Sequence, residues 1–483
     1  MKPRLTPASF DGAQDGPVAG VVSATGAEAK APRSTRALHC FLGKATAMSE
    51  AVRNYLRLAA FGLGLCLMEP AYHCAVRAAD WPQWRGPNRD AICSETGLLS
   101  KWPDGGPKLL WEINGLGIGY SSMAIADGKL YTMGDLSDQG SGAKTQCVIA
   151  YDLATRQQLW RAEVGPPHDD GPRCTPTVNE GLVYAIGTSG DLVCVDANTG
   201  KVAWRKNLVS DFGGKNPGWK YSESPLVDGD KLLCTPGGRD AVMVALNKKT
   251  GDLIWKCSMP DIGRKGMDEA GYSSIVATEA AGTRQYVQLT NKGLIGVSAK
   301  DGKFLWGYNK IANSTANIPT PVVHGEYVFC STAYGAGGAL LKLARSNDSV
   351  SAEEVYFLNA NIFQNHHGGF VQVGDYIYGG HGHGEGKPTC IETKTGKVMW
   401  QQEQPGGGSA GVLYADGHLY FRYQNNVMAL IEANPQRYNL KSTFKLPKRP
   451  GMSGEGWPHP VICDGKLYIR HADVLLCYDV KSR

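Results

Sequence analysis

The sequence predicts an all-β fold: an eight-bladed β-propeller of four-stranded antiparallel blades, with the ring closed by an N-terminal strand. Three observations predict it. A phrase of apolar strand, polar turn and second strand ending in Trp recurs, as CVDANTGKVAW at residues 194–204, with copies ending at Trp160, Trp255, Trp306 and Trp400. A second phrase sits ahead of these copies: two alternating strands joined through Asp-Gly, as at residues 224–234 and 459–469. Asp-Gly between such runs is a strong hairpin signal. Finally, residues 109–113 read as a last strand with nothing before it, while residues 457–480 supply three strands and stop. Units of four strands, with the chain ends sharing one unit, meet the needs of a closed ring that leaves no uncapped end.

Taken in order, residues 1–79 read as a leader. Arg53 and Arg57 flank the start of an apolar run, residues 56–68, too short to cross a bilayer, and Val76-Arg77-Ala78 suits an export cleavage site. The reading places the true start at Met48 and the end of the signal peptide at about Ala78. An exported protein follows, periplasmic or extracellular, soluble and not integral to a membrane. Lys and Arg number 50 against 45 Asp and Glu; residues 1–79 hold 9 basic and 5 acidic residues, which leaves 41 against 40 in the body. So balanced a body has no basic stripe, and a nucleic-acid partner is excluded.

Residues 80–108 form an N-terminal arm opening on WPQWRGPNR, expected to pack across the body rather than to bind through Trp81 or Trp84. The propeller spans residues 109–483. Its first strands are expected to start near Tyr120, Cys174, Glu223, Tyr272, Pro319, His367, Ser409 and Pro458. Units five and seven are degenerate, closing with EVYFL and YNLKSTFKL instead of the Trp phrase. Cys194, Cys234, Cys330, Cys390 and Cys477 fall inside apolar strands, where a thiol packs as a small hydrophobe, so most Cys residues are expected to be unpaired.

The recurrent form, clearest at Asp196, Thr199, Gly200 and Trp204, resembles the tryptophan-docking repeat of the pyrroloquinoline quinone (PQQ) propeller family. The resemblance covers about residues 109–483 and implies Trp packing between blades. That family includes quinoprotein alcohol dehydrogenases, a BamB-like assembly scaffold and sensor domains. Resemblance to the dehydrogenases implies PQQ with Ca²⁺ as a cofactor, with Glu223 and Asn317 as counterparts of the Ca²⁺ ligands. It also implies a disulfide between adjacent Cys residues against which the quinone stacks, and no Cys-Cys pair occurs here.

Strand parity puts the Asp-Gly and Thr-Gly turns on one face of the disc. The long irregular segments, such as SDFGGKNPGWKYSE, NIFQNHHGG and GGHGHGEGKP, lie on the other. Variable loops on a rigid scaffold carry function. First strands line the channel, so Tyr120, Arg173, Glu223, Tyr272 and Trp457 are candidate ligand-binding residues at its mouth, with Glu223 and Arg173 as catalytic candidates; Asn317 joins them only as the counterpart of a Ca²⁺ ligand that the resemblance implies. His366, His367, His381 and His383 lie on two loops of unit six and are candidate ligands for a transition metal. Two function classes remain open. One is a binding or interaction scaffold taking a small polar ligand or a protein on the long-loop face. The other is an oxidoreductase using PQQ or the unit-six histidines.

Overall fold

A computed structural model describes residues 80–137, 142–347 and 349–482; the leader, Met48 and the cleavage site lie outside the described residues. Eight antiparallel sheets follow one another around a ring, each meandering from an inner first strand to an outer fourth. Blade one comprises Ala124–Ala126, Lys129–Ser137, Lys144–Asp152 and Gln158–Gly165. Blade eight comprises Val461–Cys463, Lys466–His471 and Val474–Asp479, and its outer strand is Lys108–Asn114 from the other end of the chain. The closing strand is therefore the one expected. The second and third strands of the blades are buried on both faces over most of their length, as blades stacked against two neighbours require.

The Asp-Gly hairpins form as two-residue loops. Asp127, Asp416 and Asp464 have φ of 52°, 44° and 54°, and the Gly that follows each is also positive, the geometry that matches the twist of the flanking strands. At the third blade the loop slips by one residue, since Asp228 pairs with Lys231 and leaves Gly229-Asp230 as the turn.

The Trp phrase is a device for docking blades. In blade two, the Asp196 carboxylate accepts bonds from Asn198 N, Thr199 N and Thr199 Oγ1, which folds the turn and places Gly200 at φ 69°. A Cβ on Gly200 would lie 2.7 Å from the ring of Trp160 in blade one, so the ring needs a glycine there. Trp160 Nε1 donates to Ala197 O of the same turn. Trp160, Trp255, Trp306 and Trp400 are buried, whereas Trp204 is half-buried. Blade five lacks the Trp and uses Tyr356 instead: the ring sits over Gly396 of blade six and the hydroxyl donates to Thr393 O. None of the ten described Cys residues forms a disulfide, and all are buried.

The arm departs from expectation. It does not lie across the body but occupies the central channel. Trp81 pairs with Ile125 of blade one, and Pro82 O accepts from Val178 N of blade two. Arg89 donates to Ser224 O and Pro225 O beside blade three, and Trp84 Nε1 to Thr320 Oγ1 beside blade five. Arg85 Nη2 reaches Phe370 O of blade six. Ile92–Cys93 then pairs in parallel with Ala410–Ala415, so blade seven has five strands rather than four. Arg85, Arg89 and Ala91 all take left-handed φ, near 60°. Such strain in non-glycine residues persists only where surrounding contacts over-determine it.

Candidate functional site

With the arm filling the channel, the long-loop face is left with a blind pocket on the axis, of about 360 Å³. That falls within the range of small-molecule sites, about 300–1,000 Å³. The first strands pair only from Ala124, Thr177, Leu226, Val276, Val322, Phe370, Ala410 and Val461. The residues expected to open them lie one to four positions earlier, on extended segments that curl over the mouth.

Of the sequence-derived candidates, Tyr120, Arg173, Tyr272, Trp457, His366 and His367 line this pocket. Trp457 lies 4.6 Å from the Tyr120 ring and 4.2 Å from the His367 ring, centroid to centroid. Arg173 Nη2 donates to Asp170 at 2.8 Å, while its Nη1 is buried without a partner. Burial lowers the pKa of Arg173 from the usual arginine value.

Glu223 does not line the pocket. Extended backbone alternates its side chains, so Ser222 and Ser224 face the cavity and Glu223 turns into the wall. There its carboxylate accepts from Thr235 N at 2.7 Å and Thr235 Oγ1 at 2.8 Å. Desolvation pushes its pKa up to about 7. Asn317 is likewise a wall residue, its amide engaged by Asn313 and Asn291.

The blade-six histidines are only partly brought together. His366 lies 3.7 Å from His367 and 4.5 Å from His383, centroid to centroid. Both ring nitrogens of His366 are engaged, Nε2 with the Tyr334 hydroxyl at 2.9 Å and Nδ1 with Ser409 Oγ at 3.0 Å. His381 is set apart, accepting at Nδ1 from Gln364 N. Among the described residues no group of three or more His, Cys, Asp or Glu side chains converges to hold a metal ion. Burial disfavours the charged form of His366 and of His459, lowering them to about 4 and about 3.

Sequence reasoning missed the residues that come from elsewhere. Trp84 and Arg85 enter from the arm, and His459, Tyr334 and Trp219 complete the walls. Trp84 packs on His459 at 4.6 Å. Trp219, 49% exposed, stands at the rim beside Tyr272. The signal for the arm lay in its two Trp and two Arg residues, too many polar-tipped groups for a simple strap.

A calcium-anchored quinone does not fit these walls. No lining residue is a Cys, and the lining carboxylate, Asp170, is already paired. The two residues aligned with Ca²⁺ ligands by resemblance point away.

Fold and pocket together define a closed eight-bladed propeller with an axial pocket on its long-loop face. The chain belongs to the PQQ-repeat propeller family: the family described as outer membrane protein assembly factor BamB matches residues 144–402. Over 247 residues it is 24% identical to the outer membrane protein assembly factor BamB of Shewanella oneidensis, 50% of this chain and 55% of that one. Over 141 residues it is 28% identical to the quinoprotein alcohol dehydrogenase PedH of Pseudomonas putida, 27% of this chain and 21% of that one. The chain thus spans about half the length of the first relative and a fifth of the second. Among solved structures, BamB from Moraxella catarrhalis superposes with a TM-score of 0.53 at 14% identity, covering 77% of this chain and 99% of that one. Quinohemoprotein alcohol dehydrogenase from Comamonas testosteroni gives 0.57 at 13%, covering 85% and 82%. At those identities the likeness is one of fold. Among the described residues no helix is long and apolar enough to cross a membrane.

Proposed function

We propose that this protein is an exported ligand-binding propeller that takes a small molecule into the axial pocket. One observation carries the reading. A cavity of about 360 Å³, blocked from the channel side by the protein's own arm, presents aromatic faces together with buried hydrogen-bonding atoms that lack partners. Buried polar atoms are ordinarily satisfied, and a cluster of unsatisfied ones around one cavity points to an absent ligand. Export rests on the leader reading and on the kinship with an outer-membrane assembly factor.

Docking of a protein partner is the second reading, supported by the family match and by apolar side chains exposed on outer strands, Leu159, Leu253, Ile254 and Leu440. A screen of small acids, sugars and quinones by tryptophan fluorescence separates the two. Ligand-binding function requires saturable quenching in the wild type and its loss in Ser222→Trp, which fills the pocket. Equal responses from both proteins would overturn it.

A further inference from the structure

The pocket walls carry cations where a metal-anchored ligand would need carboxylates. Building on the ligand-binding reading, we infer that the pocket binds a small, ring-bearing organic carboxylate without a metal, its carboxylate held by Arg85 and Arg173.

Arg85 is 3% exposed, and none of its hydrogen bonds goes to a carboxylate. Its Nε donates to Arg89 O at 3.3 Å, and its Nη2 to Asp90 O at 3.2 Å and Phe370 O at 2.5 Å. Its Nη1 is buried without a partner. That atom lies against the bare backbone of Gly369, where any Cβ would come within 2.6 Å of it. The Asp90 carboxylate lies close enough to interact with this guanidinium but takes none of these hydrogen bonds. A guanidinium buried with its donors on carbonyls is expensive, and an anion brought to its free nitrogen offsets the cost.

Arg173 repeats the pattern, with one edge on Asp170 and Nη1 free, and His367 Nδ1 is a third buried atom without a partner. Two cations therefore face one carboxylate that is already engaged. Planar guanidinium groups suit a carboxylate through paired N–H donors. The rest of the wall suits a ring: Trp457 with Tyr120, Trp84, and the half-exposed Trp219 beside Tyr272 offer flat apolar faces. Sugar acids and aromatic acids share this chemistry.

Calorimetric titration of the whole protein in EDTA tests it. The probes are glucuronate and 2-naphthoate, their neutral counterparts glucose and 2-naphthamide, and PQQ with and without added Ca²⁺. At least one acid is expected to bind in EDTA tenfold or more tightly than its neutral counterpart, a difference of about 1.4 kcal/mol. Binding of glucuronate or of naphthoate identifies the source. Arg173→Gln is expected to weaken that acid at least tenfold at an unchanged melting temperature; Arg85→Gln should do the same if the arm stays docked. Equal binding of acid and neutral probe, a requirement for Ca²⁺, or an Arg173→Gln protein as good as wild type would overturn the inference while leaving the ligand-binding reading standing. Silence from every probe would overturn the inference. The Ser222→Trp comparison judges the broader reading separately.

Discussion

Each docking tryptophan acts through one ring and one glycine. Gly200 meets Trp160 at a distance no Cβ tolerates, and its φ of 69° is strained for any L side chain. Gly200→Val combines left-handed backbone strain with overpacking and is expected to cost about 2–4 kcal/mol in urea unfolding. Trp160→Ala removes the ring and leaves a cavity, an expected loss of about 3–5 kcal/mol. Tyr356→Phe keeps the ring in blade five and loses only the bond to Thr393 O, so it should cost about 1 kcal/mol. A Tyr356→Phe protein as damaged as Tyr356→Ala would show that the hydroxyl, not the ring, docks blade five. The Trp positions were legible because spacing and turn chemistry repeat together. Tyr356 was not: blade five replaces the tight Thr-Gly turn by a hairpin of two ten-residue strands, Gly337–Ser346 and Ser349–Leu358, so its phrase has no landmark. Glu223 was misplaced for a simpler reason. A period of two means that an error of one residue sends a side chain to the opposite face, and Ser222 and Ser224 took the cavity instead.

The arm is the element that sequence patterning describes least. Segment WPQWRGPNR has neither the period of a strand nor that of a helix, so nothing local says that it will enter a channel. Its fold is dictated by distant partners: carbonyls of blades three and six accept from Arg89 and Arg85. The closing strand, by contrast, was legible from the missing fourth strand at the far terminus. These two parts can be separated. Arg89→Ala leaves Ser224 O without its donor, while Pro225 O keeps the bond from Thr177 Oγ1, and is expected to cost about 1–3 kcal/mol by orphaning one buried acceptor. Deleting residues 80–113 removes the plug and the outer strand of blade eight together, and most of the cooperative melting seen by circular dichroism should go with them. A deletion protein that melts like the full chain would mean that the ring holds without its closing strand.

At the scale of the whole molecule, buried ionisable groups set the pH range of stability. Burial lowers His366 and His471 to about 4, His459 to about 3, and His367 well below its ordinary value. In the unfolded chain each imidazole titrates near 6.5. Below that pH the unfolded state takes up protons that the native state refuses, so native stability, complete above about pH 6.5, falls as pH drops toward 4. Each such group costs about 1.4 kcal/mol per pH unit in that window. Glu223 works in the opposite sense. Desolvation raises it to about 7, so its contribution is full below about pH 4.5 and lost as pH rises through 7. Between pH 6.5 and 5 His366, His459 and His471 act against Glu223, a net loss on the order of 4 kcal/mol; the lowered His367 and His381 add to it, and the raised Asp90 and Asp135 oppose it. That loss approaches the lower end of domain stability, about 5–15 kcal/mol. Melting temperature should therefore be level near pH 7 and drop steeply toward pH 5. Glu223→Gln should steepen the drop, because it removes a group that gains on acidification. Calorimetry across pH 5–8 reads both effects. A melting temperature that stays flat down to pH 5 would mean that these imidazoles are protonated in the native state, and so that the pocket walls are open to water.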